Sequence, residues 1–385
     1  MASGFPELYH KVVDINFYYK DYLEMKFFNK YLLQGLFLGG LLLTFTSCDD
    51  HFFEEEGDCE VTHSIRFVYD LNLKWADAFP SEVKSVNLYV FDSSGLFVKE
   101  YLGRGDELST PDYRIMLDLE GNETYQFLAW CGLDNEGVAD ESFMVPNPVA
   151  GVTRIEEMAC TLDALAAATS RSDSDDEGMI ISNRRLDFLY HGYLEQYLED
   201  NNDGTHYEYT IYLTKDTNHI RVMLQQTTGN LSADDFTITI EAANGKMGWN
   251  NQLLGDTEIT YVPWNTQTDI LGVKNSNGVA MDYYGVIADL STCRLMYSMV
   301  GDIFLVVKRK ETDELLFKVP LIQYSLLERE YYELAYSHVI TPQEFLDRQD
   351  EYLMTFFLDE NMNWLYAVIE VLQWHVVVRN YTLSQ

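Results

Sequence analysis

Beyond residue 60, apolar and polar residues alternate with a period of two through much of the chain. Ile65, Phe67 and Tyr69 alternate with Ser64 and Arg66. Val86, Leu88 and Val90 form the next run, which closes on Asp92-Ser93-Ser94-Gly95. Tyr113, Ile115, Leu117 and Leu119 keep the period up to the turn Glu120-Gly121-Asn122, and Tyr125, Phe127 and Ala129 resume it. Alternation of this kind, punctuated by turn residues, predicts half-buried antiparallel strands. A stretch rich in Ala, Leu, Glu and Met, Thr153 to Ala168, reads instead as a helix.

An acidic, Ser-rich loop (Ser170 to Gly178) and the turn Glu199-Asp200-Asn201-Asn202-Asp203-Gly204 place a domain boundary near residue 200. Strands then resume with Tyr209, Ile211 and Leu213, with Ile220, Val222 and Leu224, and with Phe236, Ile238 and Ile240. Ile303 to Val307 and Leu315 to Val319 predict a hairpin around Glu311-Thr312-Asp313. Ser325-x-x-Glu328 and Thr341-Pro342-x-Glu344 are capping boxes, the second with Pro at the first helical position, and they predict short helices over 326–336 and 342–349. Apolar strands close the chain at Met354 to Leu358, Trp364 to Leu372 and Trp374 to Val378.

Composition sharpens this picture. Among 385 residues, 47% are apolar and 14% aromatic, enough to bury the cores of two β-rich domains and to exclude a disordered chain. The net charge is −36, and because residues 1–47 hold four bases and four acids, the body carries all of it. So negative a surface repels phosphate backbones, which argues against nucleic acid as a partner, and it repels anionic headgroups, so that membrane attachment needs an apolar anchor.

Residues 25–47 supply one. Lys26 and Lys30 precede an apolar stretch from Tyr31 to Phe45, and small Ser47 precedes Cys48. This is the grammar of a secretory signal that ends at a cysteine, and the run is short of the roughly 20 residues a membrane-spanning helix needs. Cys48 is therefore the candidate lipidation site, with Met25 the better start and residues 1–24 an upstream extension. The acidic stretch that follows, Asp49 to Glu56, reads as a solvated tether over 48–59.

Candidate chemistry is sparse. Cys59, Cys131, Cys160 and Cys293 fit no zinc spacing and read as buried thiols, although an exported chain can pair some of them. Glu199 to Gly204 resembles the start of a calcium loop, but its twelfth position is Thr210 where a bidentate Glu is required, so a solvated turn is the better reading. Asp347 and Asp350 sit three apart at a helix end and read as solvated charge. His219 and His375 lie in strand patterns, facing away from the apolar set. No hydrolase or metalloprotease motif occurs, and no catalytic residue, cofactor or metal site is expected.

Several runs carry a family resemblance. They are Asn87 to Asp92 (NLYVFD), Tyr125 to Gly132 (YQFLAWCG), Thr217 to Val222 (TNHIRV), Pro320 to Glu330 (PLIQYSLLERE) and, most specific, Phe345 to Asp359 (FLDRQDEYLMTFFLD) followed by Trp364 and Trp374 to Val378. With the Cys48 motif they resemble the FimB-type fimbrial anchor lipoproteins, relatives of the major fimbrial subunits of Bacteroidales. The resemblance implies an all-β chain: two tandem transthyretin-like β-sandwich domains (60–200 and 201–385) with a few short helices, behind a lipoprotein signal peptide. It also implies a non-enzymatic role, anchoring a fimbria in the outer membrane and limiting its length, with fimbrial subunits as partners. The acids after Cys48 resemble a surface-export address, which places the protein on the outside of that membrane.

Strand addition is the expected contact, in which main-chain hydrogen bonds hold a neighbour's strand and alternate side chains fill pockets. Trp364 to Val378 is a candidate for it, set against the simpler reading that these strands complete the protein's own core. The alternative function is a surface glycan-binding lipoprotein, with Trp249, Trp264 and the Tyr283-Tyr284 pair as a candidate stacking platform.

Overall fold

The structure is a computed structural model that describes residues 61–133, 142–166, 180–201, 203–226, 229–255, 257–276, 279–336, 339–371 and 374–379. The leader, Cys48, the acidic tether, Cys59 and the Ser170 to Gly178 loop lie outside the described residues. Residues 58–385 make one compact unit.

The strands follow the alternation. In the first half they are β1 (Thr62–Val68), β2 (Ser85–Asp92), β3 (Phe97–Arg104), β4 (Ile115–Leu117), β5 (Glu123–Cys131), β6 (Phe143–Met144), β7 (Ala159–Leu162), β8 (Leu165–Ala166), β9 (Ile180–Ser182) and β10 (Tyr190–Leu198). They continue with β11 (His206–Tyr212), β12 (Thr214–Lys215), β13 (Thr217–Gln226), β14 (Phe236–Ala242), β15 (Lys246–Gly248), β16 (Ile259–Tyr261), β17 (Asn265–Ser276) and β18 (Val279–Cys293). The last are β19 (Phe304–Arg309), β20 (Glu314–Pro320), β21 (Glu351–Leu358), β22 (Trp364–Val371) and β23 (Trp374–Arg379).

Two sandwiches result. In the first, a three-stranded sheet (β11-β1-β4) faces a five-stranded one (β12-β10-β5-β2-β3). Ile65, Phe67, Val86, Leu88, Val90, Phe127, Ala129 and Ile211 fill the space between them. Gly192 lets these sheets close up, since a Cβ there would lie 2.4 Å from Ile211 Cγ2. In the second, two six-stranded sheets, β17-β18-β13-β21-β22-β23 and β20-β19-β14-β16-β9-β8, enclose Ile220, Val222, Leu224, Ile240, Leu305, Val307, Met354 and Phe356. The rings of Phe317 and Phe356 stack across that core with centroids 4.6 Å apart.

The five-stranded sheet is buried on both faces. Alternation gives Val86, Leu88 and Val90 to one face, yet Tyr89 and Phe91 on the other are also buried, as are Leu128 and Trp130. The cover is the small sheet β15-β7-β6 with Phe143, Ile155, Met158 and Cys160. This explains why Phe127 to Cys131 is continuously apolar rather than alternating.

The stretch expected as a helix over 153–168 is different. It holds one 3-10 turn (Ile155–Glu157) and the strands β7 and β8. Pairing of β7 with β6 and β15, and burial of Ala159, Cys160 and Leu162, override the helical preference of Ala and Leu. The capped helices do form, as Arg329–Tyr336 and Pro342–Arg348. Thr341 caps the latter by accepting from the Glu344 N–H, whereas the first helical stretch already begins at Leu321, so the Ser325 hydroxyl donates back to the Leu321 carbonyl instead of capping.

Strands cross the boundary expected at residue 200 in both directions. β11, beyond it, pairs in parallel with β1 over seven residues, Thr62↔His206 to Val68↔Tyr212. β7 and β9, before it, pair with β15 and β16 of the second half. The acidic turn at 199–204 is polar because it is a surface loop that leads into β11, and it divides no cores.

Candidate functional site

The C-terminal strands place their residues in two environments. Met354, Phe356 and Leu358 on β21, and Ala367 and Ile369 on β22, are fully buried, with the Trp364 ring edge-on to Phe356 at 6.1 Å. These two strands complete the protein's own core. On the opposite face Phe357 and Tyr366 stack at 4.4 Å and stay half-buried, and Leu365 is exposed. β23 pairs with β22 and, among the described residues, with no other strand, so it is the edge of its sheet.

Of the aromatic residues considered as a platform, the Tyr283 side chain lies outside what the structure describes, and the other three stand in separate contacts. Trp249 packs edge-on against Tyr193 and is half-buried. Trp264 lies under the Arg185 guanidinium. Tyr284 is exposed, with its N–H bonded to Asn230 Oδ1. Among the described residues no ring contact joins these three. In the turn at 199–204, Glu199 accepts from the Tyr207 hydroxyl and Asp203 Oδ1 from the Thr205 N–H, while Thr210 is inside β11 opposite Arg66. Among the described residues no group of three or more His, Cys, Asp or Glu is arranged to hold a metal ion. Cys131, Cys160 and Cys293 are buried free thiols, with burial raising the pKa of each.

Sequence reading missed a buried polar seam between the halves. The Lys215 ammonium, almost wholly enclosed, donates to Glu82 Oε2 and Asp350 Oδ2, each at 2.6 Å. The Phe188 ring lies 4.1 Å from it, with Tyr69 and Tyr190 nearby. Next in the chain, Asp216 is fully buried, accepts from Asn251 Nδ2 at 3.0 Å and lies 3.7 Å from Arg294. Arg294 makes a fork with both oxygens of Asp347 and donates to the Asn251 carbonyl. Arg348 donates to the carbonyls of Asp70 and Asn72 and lies over the Trp75 ring. Asp347 and Asp350, expected to be solvated charge, are thus ion-pair partners in the seam. Burial raises the Asp216 carboxyl to about 7 and lowers the nearby His191, whose Nε2 is 2.7 Å from the Trp249 carbonyl, to about 4. The signal in sequence was Lys215-Asp216, two adjacent charges in the short polar link between the strand patterns that end at Leu213 and resume at Ile220.

The described residues thus form all-β sandwiches with aromatic cores and an ion-paired seam between them. Residues 55–380 match the model of the fimbrillin-A associated anchor proteins Mfa1 and Mfa2, and the chain belongs to that family. Among solved structures it is similar to a putative adhesin from Bacteroides thetaiotaomicron (31% identity, 82% of this chain and 96% of that one, TM-score 0.67). It is also similar to putative polysaccharide binding proteins from the same organism (27% identity, 85% and 100%, TM-score 0.67). The fimbrial anchor protein Mfa2 from Porphyromonas gingivalis shares the fold at 16% identity, with 84% and 100% covered and a TM-score of 0.58. No curated protein matches the chain. The family is one of fimbrial anchor proteins, the neighbours are described as anchor, adhesin and polysaccharide binding proteins, and membership of the family implies association with the cell surface or outer membrane.

Proposed function

We propose that this protein is a lipoprotein of the outer membrane, attached through Cys48 and exposed on the cell surface, that holds the base of a fimbria and limits its length. The match over residues 55–380 to a family of fimbrial anchors carries the reading. The signal-like segment ending at Cys48 and the acids after it support the attachment and its outward address. Lipoprotein cysteines that carry several acyl chains bind stably, whereas one chain is marginal. In this reading the fimbrial subunit adds to the edge strand β23 by main-chain hydrogen bonding, while β21 and β22 stay in the core. The two domains are best divided at Asp216, with β7 to β9 exchanged into the second. Replacing Cys48 by Ser is expected to release the protein and attached fimbriae into the medium; a variant that stays on the membrane with its fimbriae overturns the lipid attachment.

A second reading, a surface glycan-binding lipoprotein, is favoured by the similarity to proteins described as polysaccharide binding. Specific signals on a glycan array, from a protein that does not co-purify with fimbrial subunits, would establish it over the anchor.

A further inference from the structure

We infer that the fold is a mechanical clamp: tension entering at the N-terminal end of β1 and leaving through the C-terminal strands crosses two parallel strand pairs loaded in shear. The inference rests on the anchor reading, which sets where the load enters and leaves.

The topology carries the argument. A tether pulls on β1 at its N-terminal end, Thr62. The neighbour that takes up this pull is β11, parallel to β1 and in register with it along its whole length. From the C-terminal end of β11 the chain runs on through Leu213, β12, Asp216 and β13, so residues 206–226 are a nearly unbroken extended stretch that threads three of the sheets. In the second half the pattern repeats. The load arrives at the N-terminal end of β13, whose neighbour β21 is again parallel, over eight residues from His219↔Glu351 to Gln226↔Leu358. From the C-terminal end of β21 the chain continues to β22 and β23. In each half, then, force enters at the start of one strand and leaves at the end of its parallel partner.

Parallel partners pulled from opposite ends share the force over every rung of the ladder. Strands pulled apart at adjacent ends lose one rung at a time. Each rung is worth only about 1 kcal/mol net, so the sharing decides the outcome. Side chains add resistance: Ile65, Phe67 and Ile211, and Val222, Leu224, Met354 and Phe356, are buried on the core faces of these strands. A slip by one residue would turn that apolar set outward, so no low-cost slipped register is available. Lys215 and Asp216 brace the stretch where it passes between the halves.

The test is single-molecule unfolding of the full chain in two pulling geometries at one loading rate. Handles at Val61 and Asp359, just past the end of β21, load both ladders in shear without first peeling β23 from β22, whereas handles at Val61 and Asp203 pull the adjacent starts of β1 and β11 apart. Forced unfolding reports the unfolding barrier, and a first rupture force about twofold or more higher in the shear geometry is expected. Equal or lower force in that geometry overturns the clamp. Its failure is distinct from failure of the anchor reading: a chain that Cys48→Ser releases from the membrane, but that ruptures alike in both geometries, is an anchor without a clamp.

Discussion

The sandwich cores and the seam between them are both buried, yet they are made of opposite chemistry. In the cores, Trp130, Phe127, Phe356 and Ile240 are wholly enclosed among other apolar side chains. In the seam, Lys215, Asp216, Arg294 and Asp347 are enclosed among one another and among carbonyls. An apolar core tolerates many near-equivalent packings. An ion-paired seam tolerates few, because a slipped contact leaves a charge buried without a partner. The difference suggests that the cores supply most of the stability and the seam fixes how one half is set against the other.

Four measurements would break or sharpen that contrast, from the largest expected effect to the smallest. Trp130→Ala, in the sheet buried on both faces, should cost about 3–5 kcal/mol in urea unfolding. A smaller loss would mean that the layer between the small sheet and the first sandwich is loosely packed.

The second concerns pH. Burial raises Asp216 to about 7 from 3.8, so between those values the folded chain holds a proton that the unfolded chain has released, and stability falls as pH rises. Burial lowers His191 from 6.5 to about 4, so over that window the folded chain binds fewer protons and stability rises with pH. The two contributions oppose each other over their shared window. Asp216→Asn removes the first, and its stability should then rise by about 3 kcal/mol across the His191 window while the parent changes little. Parallel pH profiles for the two proteins would show that Asp216 does not titrate as its burial implies, and a flat profile for Asp216→Asn would show the same of His191.

Lys215→Met should come next, at about 2–3 kcal/mol, discounted because Glu82 and Asp350 keep some access to solvent. Its unfolding transition should also broaden if the seam couples the halves, which calorimetry would detect. Lys99→Ala, at an ion pair whose Asp118 side chain is 96% exposed, should change stability by less than about 0.5 kcal/mol.

Much of the fold was legible in the sequence. Local signals decided β1, β2, β5, the hairpin β19–β20 and the Thr341-capped helix, because alternation, turn residues and caps act within a few residues of one another. Partners distant in sequence decided the rest. Residues 153–168 carry helix-favouring side chains, and only pairing with Lys246–Gly248 makes Ala159–Leu162 a strand. The polar turn at 199–204 read as a domain boundary, though the strand after it belongs with β1. The seam was hidden for the same reason: Asp347 and Asp350 look like any helix-end acids until the fold brings Arg294 and Lys215 to them. The motif at Cys48 needs no fold to be read, since its grammar is linear.

The parallel pairing of β1 with β11 also governs the order of synthesis. Thr62 and His206 hydrogen-bond across a sequence separation of 144 residues. A nascent chain therefore exposes β1 without its partner until more than half of the polypeptide has been made, and contacts this distant in sequence form slowly. During that interval β4 can pair with one side of β1, but the edge that faces β11 stays open, a template for wrong partners. A fragment ending at residue 200 would lack β11 altogether, so cutting the gene at the visible polar turn is a poor way to obtain a folded half.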